Sequence, residues 1–114
     1  MEDASTDSLS ADWQFGIAYN AALKLCTILL FAEGYRPEKN LAHYRTLQSL
    51  PLILGSERRD EADYLDTCRI KRNTAEYDAV GCVSPEEADE LLDYVRELRI
   101  TVLEWMRVQH PDLL

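Results

Sequence analysis

Apolar side chains recur at Ile17, Ala18, Ala21, Leu25, Ile28, Leu29 and Ala32, the three-and-four spacing of a helix face. Ser8 or Ser10 is placed to cap this first helix and Gly34 to end it. A serine hydroxyl accepts from an orphan N–H, and glycine adopts the left-handed turn that closes a helix. Between Ala21 and Ala32 the pattern is apolar almost all the way round. One neighbouring helix cannot cover such a cylinder, so the segment belongs at the centre of a bundle or in a subunit interface.

Tyr35-Arg36-Pro37 forms the connection to a second helix, with Asn40 as its cap and Leu41, Tyr44, Leu47 and Leu50 on its apolar side. Pro51 is expected to kink or shorten this helix, because proline lacks the N–H that the ladder needs. Gly55 closes the segment and Ser56 caps a third helix, which carries Ala62, Leu65, Cys68 and Ala75 and ends near Tyr77. After the loop Asp78 to Val83 comes the clearest boundary, Ser84-Pro85-Glu86-Glu87. It combines an N-cap serine, proline at the first helical position and glutamate at the third, a full capping box.

The helix that starts there has a seam at Ala88, Leu91, Val95, Leu98, Val102 and Trp105, alternating steps that suit shallow packing on another helix. No segment alternates with period two, and no Asn-Gly or Asp-Gly hairpin signal occurs. The expected fold is all-α, an antiparallel up-and-down bundle of four main helices with room for a short fifth. It spans residues 10–110, between a flexible acidic tail at 1–9 and a C-terminal tail at 111–114.

The length of 114 residues supports one domain, and 46% hydrophobic with 29% charged residues excludes a disordered or low-complexity chain. The longest apolar run, Leu25 to Ala32, is much shorter than the ~20 residues of a membrane span. Glu2, Asp3, Asp7 and Asp12 open the chain with no basic side chain among them, unlike a secretory signal or a mitochondrial presequence. The expected location is the cytoplasm, with no membrane association. Cys26, Cys68 and Cys82 form no Cys-x-x-Cys pair, and Cys26 and Cys68 read as small core residues.

Twelve basic and twenty-one acidic residues give a net charge of −9, which disfavours nonspecific attraction to nucleic acid. Locally the balance differs. Residues 24–45 hold Lys24, Arg36, Lys39 and Arg45, and Arg69, Lys71 and Arg72 crowd together further on. Should these groups meet, they form a basic island on an acidic body.

No phosphate-binding glycine loop, His-Glu-x-x-His, EF-hand loop or Gly-x-Ser-x-Gly elbow occurs, so neither metal nor cofactor is expected. His110, before Pro111, reads as a solvated tail residue. The informative segment holds Arg69, Lys71, Arg72, Asn73, Tyr77 and Asp78. Arg69, Asn73 and Tyr77 share one helix face, Arg72 can reach Glu76, and Arg72 falls on the seam through Leu65, Cys68 and Ala75. A guanidinium there requires a partner or an interface cleft, or else belongs to a helix-end network with no chemistry.

Arg69-Ile-Lys-Arg-Asn-Thr-Ala-Glu-Tyr-Asp78, followed by Val83-Ser-Pro-Glu-Glu-Ala88 and a long amphipathic helix, resembles the C-terminal half of HEPN-domain proteins. Tyr19-Asn-Ala-Ala22, Ala32-Glu-Gly-Tyr-Arg-Pro37 and Ala42-His-Tyr-Arg-Thr46 resemble the first two helices of that family, so the likeness runs from about Ala11 to about Met106. It implies a bundle of four or five helices that dimerises. Many members are metal-independent ribonucleases or toxins whose motif is Arg, a polar residue, three variable residues and His. Here Arg72 takes the arginine position, Asn73 the polar one, and Tyr77 stands where the family has histidine.

Histidine suits proton transfer because it titrates near ~6.5, whereas tyrosine titrates near ~10. The resemblance with this departure therefore implies a binding module: a homodimer whose cleft of Arg69, Arg72, Asn73, Tyr77 and His43 holds RNA, a nucleotide or a partner segment without cleaving it. It also implies a minimal nucleotidyltransferase as partner, in a toxin–antitoxin type of context. The alternative is a metal-independent ribonuclease in which Arg72 clamps the phosphate, Asn73 orients the substrate, and Tyr77 or His43 handles protons. A third is a purely structural bundle in which Arg72 tolerates substitution.

Overall fold

The computed structural model describes residues 4–35, 42–77 and 81–113, without the side chains of residues 4–9, 42, 76 and 77. Four helices form it: α1 (Ala4–Ala32), α2 (Ala42–Leu54), α3 (Arg59–Tyr77) and α4 (Pro85–Gln109). Short 3-10 turns at Ser56–Arg58 and Pro111–Leu113 complete it, and no strand occurs among the described residues. The protein is an all-α bundle.

α1 starts at Ala4, ahead of the expected caps, so Ser8 and Ser10 lie inside it and much of the segment expected as a tail is helical. No glycine or proline interrupts residues 4–10, and extending an existing helix adds one hydrogen bond per residue fixed. At the other end Gly34 adopts φ +88°, with Tyr35 N–H donating to the Leu30 carbonyl at 2.9 Å and Gly34 N–H to that of Phe31 at 3.0 Å. This pair of bonds is a Schellman closure, which satisfies carbonyls that the helix leaves orphaned.

The expected cap Asn40 lies outside the described residues. Pro51 does not end α2, which continues to Leu54 before Gly55 stops it at φ +132°. Pro51 is itself buried, and its ring adds to the apolar side. Ser56 opens a 3-10 turn in place of capping α3 directly, and Arg58 N–H donates to the Gly55 carbonyl there. α4 has the expected capping box: Ser84 Oγ accepts from Glu87 N–H at 3.1 Å, and Glu87 Oε1 accepts from Ser84 N–H at 3.0 Å.

α1 packs against all three other helices, α2 packs against α3, and α4 meets the rest chiefly through α1. Asp12 lies at the start of α4 and Glu33 near its end, so α1 and α4 run the same way, while the hairpins α2–α3 and α3–α4 are antiparallel.

The buried face of α1 is Ala11, Phe15, Ala18, Tyr19, Ala22, Cys26 and Leu29. Ile17 and Ile28, expected in the core, are exposed on the opposite side together with Trp13 and Phe31. A helix apolar all round leaves the choice of inner face to packing, and Ala11, Ala18 and Ala22 let neighbours approach closely. On α4 the seam runs Ala88, Leu91, Val95, Leu98, Val102 and Met106; Met106 replaces Trp105, which is half-buried.

The stretch Ser10–Ala32 has the length and mean hydropathy, 1.6, of a membrane span, although its apolar runs are broken by polar residues. Here its inner face forms the centre of the bundle.

Candidate functional site

The late half of α3 faces the early half of α1, which brings Arg72 onto Tyr19. The Arg72 guanidinium carbon lies 5.7 Å from the centroid of the Tyr19 ring, within the range of cation–π attraction. From the start of α2, His43 approaches the same ring at 6.3 Å between centroids, tilted by 46°. Three helices thus converge on one aromatic residue. His43 is exposed, Arg72 half-buried, and Tyr19 has 0% of its surface accessible.

The Tyr19 hydroxyl is buried with no hydrogen-bond partner among the described residues. A phenolic O–H left this way costs about 1–3 kcal/mol relative to one that is satisfied. Burial pushes its pKa up to about 12, against the opposite pull of Arg69 and Arg72, so it remains a neutral donor at any physiological pH.

The expected basic island is divided. Arg69 Nε donates to Asp66 Oδ1 at 2.8 Å, and Lys71 crosses to α4 and pairs with Glu87. That pairing raises the Lys71 pKa and lowers that of Glu87, to which the Ser84 N–H also contributes. Arg69 and Lys71 are therefore each engaged by a carboxylate, because an acidic body supplies a counter-charge within reach of each. Asn73 follows Arg72 on α3 and is half-buried. Tyr77 ends α3, and its side chain, like that of Glu76, lies outside the described residues. Arg36, Lys39 and Asp78 do so as well.

His110 is not a solvated tail residue. Its backbone N–H donates to the Met106 carbonyl at 2.8 Å, closing α4, and its ring lies 5.1 Å from that of Trp105 with Nε2 3.9 Å from Glu33. Cys26 and Cys68 are core residues as expected, their pKa values pushed up by burial to about 12 and about 11, which leaves them protonated and poorly nucleophilic. Among the described residues no three His, Cys, Asp or Glu side chains converge as a metal-ligand set.

On the opposite flank of α3, a groove towards α4 is lined by Asp60, Glu61, Tyr64, Glu90 and Tyr94. Tyr94 donates to Glu61 at 2.7 Å, Arg58 donates to the same carboxylate at 3.0 and 3.1 Å, and the Tyr64 and Tyr94 rings meet edge to face at 5.6 Å. Desolvation raises the pKa of both tyrosines. Nearby, Asp12 of α1 accepts from Gly81 N–H at 2.6 Å and Val83 N–H at 3.2 Å, tying the entrance of α4 to the central helix.

Two of these roles were missed in the sequence. Asp12 carries no local signal, since its partners are some seventy positions away. Tyr19 did carry one: a tyrosine on a face otherwise formed by Ala11, Phe15, Ala18, Ala22, Cys26 and Leu29 buries a hydroxyl that an apolar core does not satisfy. Comparison with models of known families, with characterised proteins and with solved structures finds no match.

Proposed function

We propose that this protein is a HEPN-like binding module of the cytoplasm, homodimeric and non-catalytic, whose Arg72 cluster receives a phosphate-bearing ligand, RNA or a nucleotide, beside a minimal nucleotidyltransferase partner. The observation that carries the reading is the convergence of Arg72, Tyr19 and His43 from three different helices. Arginine recognises phosphate through planar, charge-assisted hydrogen bonds, and an exposed histidine extends the same positive rim when protonated. Asn73 and Tyr77 complete the motif positions of the resemblance, and Tyr77 offers a phenol where cleavage calls for an imidazole. A toxin–antitoxin type of context fits such a module.

The homodimer has its own support. Trp13, 73% exposed, lies with Ile17, Ile28 and Phe31 on the outer face of α1, and Ile100 and Leu103 are exposed on the adjoining α4. An apolar stripe of this length on a soluble protein is a surface for association. Sedimentation of the wild type and of Ile17→Lys tests it: a dimer that dissociates in the variant is expected, and a wild-type monomer refutes it.

One observation favours the ribonuclease reading: His43, outside the Arg72 motif in sequence, stands beside the same tyrosine. Incubating the protein with single-stranded and total RNA in EDTA decides between the two, alongside Arg72→Ala, Tyr77→Phe and His43→Ala. Intact RNA is expected for all four proteins. Cleavage lost in Arg72→Ala overturns the non-catalytic reading, and its further loss in His43→Ala or Tyr77→Phe identifies the proton carrier.

A further inference from the structure

Tyr19 holds a polar atom that the described fold does not use. A phenylalanine fills the same space, packs against the same neighbours and leaves no hydroxyl without a partner. The ring is wholly buried, yet it borders the half-buried Arg72 and the exposed His43, so the cluster reaches solvent on one side. A neutral O–H next to the Arg72 guanidinium is matched by an anionic oxygen, which accepts from the phenol while the guanidinium offsets its charge.

We infer that the Tyr19 hydroxyl is the buried hydrogen-bond donor for a terminal phosphate group, one at the end of a nucleotide or of a nucleic-acid strand, lodged between Arg72 and His43. This rests on the reading of the Arg72 cluster as a phosphate site and specifies which phosphate it takes. Tyr19 has no accessible surface, so its hydroxyl admits only a small group. A terminal phosphate ends at its own oxygens and fits that requirement. An internal phosphodiester carries a nucleotide on either side, and the net charge of −9 repels the rest of an extended strand.

Two measurements on the full chain test the inference: thermal unfolding without ligand, and calorimetric titration with inorganic phosphate, AMP, and one oligoribonucleotide bearing either a 5′-phosphate or a 5′-hydroxyl. The proteins are the wild type, Tyr19→Phe and Arg72→Ala. Tyr19→Phe is expected to melt higher than the wild type, by roughly 3 °C or more, because it removes an unsatisfied hydroxyl. It is expected to bind AMP or the 5′-phosphorylated strand about 10-fold more weakly, the loss of one hydrogen bond to a charged acceptor.

AMP binding tighter than the phosphorylated strand identifies a free nucleotide as the source, and the reverse order a strand end; either supports the inference. A lower melting temperature in Tyr19→Phe overturns it by showing that the hydroxyl serves the fold. Unchanged affinity in Tyr19→Phe, with binding lost in Arg72→Ala, overturns it while leaving the phosphate site standing. Equal binding of the 5′-hydroxyl strand overturns the terminal-phosphate claim, and a wild type that binds none of the probes overturns both the inference and the site.

Discussion

α3 carries polar clusters of similar composition on two flanks, and they are built to opposite rules. Towards α4, the Tyr94 hydroxyl and the Arg58 guanidinium share the Glu61 carboxylate, while Lys71 meets a Glu87 that also closes a capping box. Towards α1 and α2, a tyrosine of equal size keeps its hydroxyl without a partner among the described residues, beneath Arg72. The first flank joins two helices that make little direct backbone contact, so its hydrogen bonds act as struts. In the second, α1 already packs against α2 and α3, and the Tyr19 hydroxyl adds no strut. Satisfied polar groups here belong to architecture, and the unsatisfied one marks the place where chemistry is left for a ligand.

The largest expected effect separates binding from stability. Arg72→Ala should weaken a phosphate-bearing ligand by about 100-fold, since it removes the charged clamp, yet shift the urea midpoint by no more than about 1 kcal/mol equivalent. Calorimetric titration and urea unfolding of the same preparation measure both. A large loss of stability with binding intact turns the Arg72 flank into a second strut and removes the contrast.

Glu61→Ala should show the reverse pattern. It deprives the Tyr94 hydroxyl and Arg58 of their acceptor, and hydrogen bonds to a charged group contribute about 1.5–3 kcal/mol. Partial exposure of the Arg58–Glu61 pair reduces its share, so a loss of about 2 kcal/mol in urea unfolding is expected, with ligand affinity unchanged. Ser84→Ala comes next, at about 1 kcal/mol, because it removes one half of the capping box of α4 and leaves the Glu87 side chain in place. Neither substitution should move RNA or nucleotide binding, and a change in binding would link the two flanks.

Helix boundaries were legible wherever a local residue enforced them. Gly34 and the Ser84-Pro85-Glu86-Glu87 box act through backbone atoms a few positions away, which is why their roles are readable from a linear string. Pro51 misled because its local preference was outweighed by burial of its ring against the bundle. The inner face of α1 was not legible either. With apolar residues on all sides, periodicity gave no phase, and the choice of Ala18 and Leu29 over Ile17 and Ile28 depends on how near other helices must come. In the candidate site, Arg72 was recognisable as a cation on an apolar seam and His43 as a histidine near it. Tyr19 showed only as a tyrosine on an apolar helix face; that its hydroxyl meets no partner is decided by how α1, α2 and α3 pack around it.

The smallest effect concerns pH and again divides the flanks. Lys71 and the Ser84 N–H lower the Glu87 pKa below the ordinary glutamate value of ~4.3, so the stability it contributes is present above that value and is lost as pH falls through the folded pKa. Lys71 shifts upward; its contribution is complete below ~10.4 and is lost only as pH rises through its own folded value. Between about pH 5 and 10 the strut is therefore at full strength. Both side chains are about a third exposed or more, which screens the pair and limits the total to well under 1 kcal/mol. Urea midpoints at pH 7 and pH 3 should fall less in Glu87→Gln than in the wild type. Tyr19, neutral until far into alkali, should give Tyr19→Phe the wild-type dependence over that range. An equal acid response in Glu87→Gln would mean that the Lys71–Glu87 pair carries no stability, and the α3–α4 flank would then rest on Glu61 and the tyrosines alone.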